Sequence, residues 1–120
     1  RVFSASTITN NTILSADLGI TAETGPSSGT NISSNVLRVI RIFGIFMNGG
    51  TNNRILNNNI NDPLTPQGIQ VTAAGNLITS NIACGPAGGS RDIFCLPGQT
   101  GSNNIAREVN CPTIQWTNTC

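Results

Sequence analysis

An isoleucine followed three positions later by asparagine recurs along this chain at a nearly constant interval, and that recurrence restricts the fold more than any other feature. The units are Ile8-Thr9-Asn10-Asn11, Ile32-Ser33-Ser34-Asn35, Ile55-Leu56-Asn57-Asn58 and Ile78-Thr79-Ser80-Asn81, with a degraded copy at Ile105-Ala106-Arg107-Glu108. Their leading isoleucines lie 24, 23, 23 and 27 positions apart. A second marker keeps phase with the first: Gly19-Ile20, Gly44-Ile45 and Gly68-Ile69, then Asp92-Ile93 and Thr113-Ile114 without the glycine. Two markers that hold phase over four or five copies indicate a repeat protein in which each unit buries its apolar side against the next.

A period near 23 residues suits two solenoids. Leucine-rich repeats need a Leu-x-x-Leu-x-Leu ladder, which the few leucines here do not make. A parallel β-helix needs short strands, inward apolar residues and tight bends, and these are present. The expected fold is therefore all-β: a right-handed parallel β-helix of about five coils of roughly 21 to 27 residues, one domain over 1–120. The chain is expected to be a processed product or part of something longer, such as its C-terminal part, because it begins at Arg1 without Met or a signal peptide. The inward columns would be Ile8/Ile32/Ile55/Ile78/Ile105 and Ile20/Ile45/Ile69/Ile93/Ile114. A third, Ala22/Met47/Val71/Cys95/Trp116, lies two positions on, where alternation keeps side chains on one face.

The asparagines have a physical reason to recur. A bend between strands needs a residue that tolerates left-handed φ, and asparagine tolerates it better than other non-glycine residues. Stacked coils would set Asn11, Asn35, Asn58 and Asn81 roughly 4.8 Å apart, where amides hydrogen-bond up the stack as a ladder. Glu108 would end that ladder. The glycine before each second isoleucine fits a turn or a close backbone approach.

Composition agrees. The chain has no Lys, His or Tyr, and 9% of its residues are charged, which disfavours long solvent-facing helices. Disorder is disfavoured by 38% hydrophobic residues and low net charge. A net charge of +1 argues against nucleic acid as a partner, and no apolar run approaches the roughly 18 residues of a membrane span.

Cys84, Cys95, Cys111 and Cys120 all fall in the last third. An even, clustered set without histidine favours disulfides and an oxidising, extracellular setting. The alternative, a four-cysteine zinc site, is disfavoured by separations of 11, 16 and 9, none of them a C-x2-4-C knuckle. Cys84 follows Asn81 by three positions and Cys111 follows Glu108 by three, so these two would be vertical neighbours at a separation a disulfide accepts. Of the three possible pairings this favours Cys84–Cys111 with Cys95–Cys120, the second tying the end across the last coil beside Trp116. Asn10 and Asn31 head N-glycosylation sequons, common by chance in an Asn-rich chain.

In Asn11-Thr12-Ile13 to Gly19-Ile20, Asn58-Asn59-Ile60 to Gly68-Ile69-Gln70-Val71, and Asn81-Ile82, the chain resembles the right-handed parallel β-helix, pectate-lyase-like superfamily. The resemblance covers nearly the whole chain. It implies a fold shared by polysaccharide lyases, hydrolases and epimerases, tail-spikes and adhesins, and so does not transfer an activity. Its lyases imply carboxylate-bound calcium and an arginine base. The one cluster offered here, Asp62 with Arg38, Arg41 and Arg54, lacks the several acids a hard cation prefers. No cofactor or metal is expected.

Catalytic groups are sparse. Polysaccharide hydrolysis wants two carboxylates about 5 to 10 Å apart. Asp17, Asp62 and Asp92 fall in the loop between the asparagine bend and the next isoleucine strand; Asp17 and Asp62 would project from the same side of the stack, but with a coil between them, and these acids also suit turns, Asp62-Pro63 being a common turn pair. Gly85-Pro86-Ala87-Gly88-Gly89-Ser90 lacks the lysine and helix of a phosphate loop, and without histidine no serine or cysteine nucleophile has its base. The most apolar run, Val36 to Met47, must turn alternate residues outward, so Phe43 and Phe46 would meet a partner or a covering loop. Arg1 to Ser6 reads as one extended strand at what would be an otherwise open end, which would make Val2 and Phe3 interface candidates.

The expected function is thus non-enzymatic: a secreted structural or adhesive module at the cell surface, assembling with copies of itself into a filament or surface layer. The alternative is a fragment or small relative of an enzyme acting on acidic polysaccharide, with Asp17, Arg38, Arg41 and Asp62 as its site residues.

Overall fold

A computed structural model describes residues 5–22, 28–86, 88 and 91–120. The chain is a parallel β-solenoid of about four turns, with no helix among the described residues. One face is a four-stranded parallel sheet of β1 (Thr7–Thr9), β3 (Asn31–Ser33), β5 (Arg54–Leu56) and β8 (Leu77–Thr79). The other strands form a second, nine-stranded sheet. It holds the long β2 (Thr12–Ala22) and β4 (Val36–Met47), then β6 (Asn59–Asn61) and β7 (Gln67–Val71), β9 (Ile82–Cys84) and β10 (Arg91–Cys95), and finally β11 (Asn104–Ala106), β12 (Val109–Asn110) and β13 (Trp116–Thr117).

Ile8, Ile32, Ile55 and Ile78 stack in register, the last three fully buried. Burying each isoleucine is worth about 1.5–3 kcal/mol, so such columns are the main stabilising element of the stack. Ile20/Ile45/Ile69/Ile93 and Ala22/Met47/Val71/Cys95 run parallel to it. A further column, Ile13/Leu37/Ile60/Ala83/Ala106, was not foreseen; it tapers from isoleucine to alanine down the stack.

The last coil departs from expectation. Ile105 pairs with Ile82 instead of continuing the first column, because Leu77 bridges Thr100 and so sets Gly101 beneath Ile78. The second column ends on Val109, not Ile114, and the third on Cys111, not Trp116. The physical reason is a shortened coil. Cys95 and Cys111 are 16 residues apart, whereas their columns step 24 between Val71 and Cys95.

The ladder asparagines hydrogen-bond vertically. Asn11, Asn35, Asn58 and Asn81 each donate Nδ2 to the Oδ1 of the asparagine below, at 3.0 to 3.2 Å, and the series ends on Asn104. Asn104, and not Glu108, is therefore the fifth rung, keeping a step of 23. The left-handed bend belongs to the residue before each rung: Asn10, Ser34, Asn57, Ser80 and Asn103 have φ of 55 to 58°. The rung asparagine itself accepts the backbone N–H above it, which no strand serves at the corner. Gly44 marks a close approach and not a turn, since a Cβ there would lie 2.6 Å from the carbonyl oxygen of Gly68.

Candidate functional site

The four candidate catalytic residues lie on one flank, between the asparagine corner and the second isoleucine column, as two pairs, Asp17 with Arg41 and Asp62 under the charge of Arg38. Asp17 pairs with Arg41 at 3.2 Å, both largely exposed, linking coils 1 and 2. Arg38 lies against coil 3, donating to the carbonyl oxygen and Oδ1 of Asn59. Asp62 is buried and turned to the backbone: it accepts the N–H groups of Leu64 and Val39 and the Thr65 hydroxyl. Burial pushes its carboxyl pKa up. Those hydrogen bonds and the charge of Arg38 outweigh burial, and hold it below the ordinary value of 3.8. An ionised carboxylate committed in this way stabilises a loop; it is poorly placed to accept a substrate proton.

Asp92, which the sequence groups with Asp17 and Asp62 as an acid of the loop before the isoleucine strand, is used in the same manner. It is fully buried and accepts the N–H groups of Gly85, Arg107 and Glu108. Its place in the glycine column was the available signal. A second amide ladder was missed. The backbone N–H groups of Thr30, Asn53 and Asn76 donate in turn to Asn53 Oδ1, Asn76 Oδ1 and Gln99 Oε1. A polar residue two positions before Ile32, Ile55 and Ile78 was its signature.

The cysteines pair as Cys84–Cys120 and Cys95–Cys111. This corrects the expected Cys84–Cys111 and Cys95–Cys120. With Asn104 as the fifth rung, Arg107 stands under Cys84, while Cys111 falls directly under Cys95 with Cα atoms 4.7 Å apart. Vertical stacking does select a disulfide, but at Cys95–Cys111. No group of three or more His, Cys, Asp or Glu among the described residues could hold a metal ion.

The outer face of the second sheet carries side chains in pairs flanking each inward isoleucine. Phe43 and Phe46 stack with ring centroids 4.8 Å apart. Gln67 and Gln70 follow one rung below, then Arg91, whose guanidinium lies 5.0 Å over the Phe94 ring. A shallow cleft bordered by Arg91, Glu108, Val109 and Asn110 ends the row. Phe43 and Phe46 are only half-buried, and exposed Leu14, Ile42 and Leu64 lie on the adjoining flank. Val2 and Phe3 lie outside the described residues. Asn10 is exposed at its corner, whereas Asn31 lies within β3 with its Oδ1 shielded from solvent.

At the N-terminal end, β1 pairs only with β3 and β2 only with β4 among the described residues. One edge of both strands, 3 and 11 residues long, is left without a described partner. Ile8, Ile13 and Ala16 are correspondingly only partly covered, whereas Ile32, Leu37 and Ile40 beneath them are fully buried. Comparison with protein-family models, with curated proteins and with solved structures found no match.

Proposed function

We propose that this chain is a structural or adhesive module of an extracellular surface, joining other protein through its N-terminal edge. The observation that carries this reading is the edge itself: a long strand whose outer edge has no partner among the described residues, over partly covered isoleucines, is suited to the addition of further strand. The chemistry of the acids supports it, because Asp62 and Asp92 are spent on backbone N–H groups. Two disulfides are compatible with an oxidising compartment. The test is sedimentation and electron microscopy of the purified chain, with the disulfides closed and with Cys84–Cys120 opened, beside an Ile13→Arg variant that places a charge on the edge. Association that Ile13→Arg abolishes is expected. A monodisperse monomer of 12.5 kDa in every state, unaffected by Ile13→Arg, overturns the reading.

A second reading, a polysaccharide-binding or -processing relative, draws on the row of Phe43/Phe46, Gln67/Gln70 and Arg91/Phe94. Aromatic faces, amides and a guanidinium at strand spacing suit sugar rings and carboxylates. Incubation with uronic-acid polymers and calcium distinguishes binding alone from the release of unsaturated products.

A further inference from the structure

The ladder obeys a rule that its last rung satisfies in an unusual way. Each asparagine from Asn35 to Asn104 sends Nδ2 up to the carbonyl oxygen three residues before the asparagine above: Ile8, Ile32, Ile55 and Ile78, at 2.8 to 3.0 Å. Each also presents Oδ1 to the amide of the asparagine above. A sixth rung below Asn104 would have to donate to the Gly101 carbonyl oxygen and accept from Asn104 Nδ2. The backbone of Gln115 does both. Its N–H donates to the Gly101 oxygen at 2.9 Å, and its carbonyl oxygen accepts Asn104 Nδ2 at 3.2 Å. The segment 112–120 thus imitates a rung without being a coil. It is held there by the pairing of β13 with β11 and by the Cys84–Cys120 disulfide.

The opposite end offers the complement. Asn11 Nδ2 donates to Thr9 and Asn35, but Asn11 Oδ1 takes no hydrogen bond from the described residues. We propose that segment 112–120 is a displaceable stand-in for a sixth rung, and that the partner fitted to the rung beneath it is the N-terminal edge of a second copy of this chain. In that register Asn11 of the second copy lies under Asn104, Ile8 under Gly101, and Ile13 under Ala106. Donor meets acceptor at each ladder position, because every rung presents Oδ1 to the amide above it and Nδ2 both to the carbonyl oxygen above and to Oδ1 below. The disulfide sets the state of the end. Cys120 is exposed, while Cys95 and Cys111 are buried in the core column, so a dithiol reaches Cys84–Cys120 first. Its thiolate attacks one sulfur and breaks the S–S bond. Its second thiol resolves the mixed disulfide, leaving two cysteine thiols and a cyclic oxidised reductant. Closing the bond stops growth at this end, and opening it permits growth.

This inference rests on the reading of the chain as an assembling module, and the experiment separates the two. Sedimentation velocity and negative-stain microscopy compare the oxidised chain with three others. These are the chain treated with dithiothreitol until peptide mapping shows only Cys84–Cys120 open, the Cys84→Ser/Cys120→Ser variant, and the opened chain carrying Ile13→Arg. The expected result is unbranched rods from the opened forms, their mean mass rising several-fold with concentration. Neither the oxidised chain nor the opened Ile13→Arg chain should form them. Rods from the oxidised chain, or rods indifferent to Ile13→Arg, overturn the stand-in while leaving assembly itself intact. Opened forms that sediment like the oxidised chain also overturn it; if none of these species associates, the assembly reading fails as well. Should the double serine variant lose its β-sheet circular dichroism, the dithiothreitol-opened chain decides. If that chain too unfolds and regains its spectrum only on re-oxidation, the segment is part of the fold and not displaceable.

Discussion

Replacing Asn58 with alanine tests the amide ladder where it is most enclosed. The Asn58 side chain makes four hydrogen bonds: Oδ1 accepts the N–H and Nδ2 of Asn35, and Nδ2 donates to the Ile32 carbonyl oxygen and to Asn81 Oδ1, all at 2.9 to 3.1 Å. The residue is 1% exposed, so water cannot replace these partners. Four such bonds are worth ~0.5–1.5 kcal/mol each, and leaving the buried Asn35 N–H without its acceptor adds ~1–3 kcal/mol. The expected loss is on the order of 3–9 kcal/mol, a large share of the roughly 5–15 kcal/mol that stabilises a domain. Asn11→Ala is the control: exposed, with a side chain that among the described residues donates only to Thr9 and Asn35, it should lose no more than about 1 kcal/mol. Urea unfolding of both variants with the disulfides closed, followed by circular dichroism, supplies the comparison. Equal losses at the two positions would refute the view that burial gives the ladder its energetic weight.

Two further expectations concern the flank. Val39 holds a left-handed φ of 55°, a conformation that penalises a β-branched side chain by about 1–2 kcal/mol, so Val39→Asn should raise the urea midpoint modestly; a lowered midpoint contradicts the assignment of strain. Asp62, with its folded pKa below the ordinary 3.8, contributes stability that is full above that value and is lost as pH falls through the folded pKa. Unfolding free energies measured from neutral to strongly acidic pH should therefore fall more steeply at the acid end for the native chain than for Asp62→Asn, and superimposable acid limbs would remove Asp62 from the account.

The first four coils were legible because their apolar columns are written in one residue type. Ile8, Ile32, Ile55 and Ile78 announce a register that the strand pairing keeps. The fifth was misread because Ile105 imitates the leading isoleucine, while the true marker, Asn104, follows a glycine at the inward position, Gly101. That single displacement of register carried the disulfides with it. The second ladder escaped notice because Thr30, Asn53, Asn76 and Gln99 share hydrogen-bonding geometry but not identity. The candidate site was less legible still. Carboxylates of turns and of active sites look alike in sequence, and only the backbone N–H groups around Asp62 and Asp92 separate the two uses.

Asp92 also explains how the last coil can be short. Gly19, Gly44 and Gly68 occupy the same column, where a Cβ would lie 2.3 to 2.6 Å from the carbonyl oxygen of the coil below. Beneath Asp92 the next coil cuts across after 16 residues instead of 24, and the N–H groups of Arg107 and Glu108 arrive from that short path. The carboxylate fills the place where the longer coil would have passed and satisfies both, together with Gly85 from its own coil. Repeat consensus therefore recommends glycine at position 92, and packing recommends against it. Asp92→Gly removes three hydrogen bonds to a charged acceptor, worth ~1.5–3 kcal/mol each, and leaves buried donors unpaired. We expect a loss of at least about 4 kcal/mol, with hydrogen exchange rising first at Gly85, Arg107 and Glu108. If the glycine variant is as stable as the native chain, the short coil is held by its Cys95–Cys111 bridge alone and Asp92 is incidental to it.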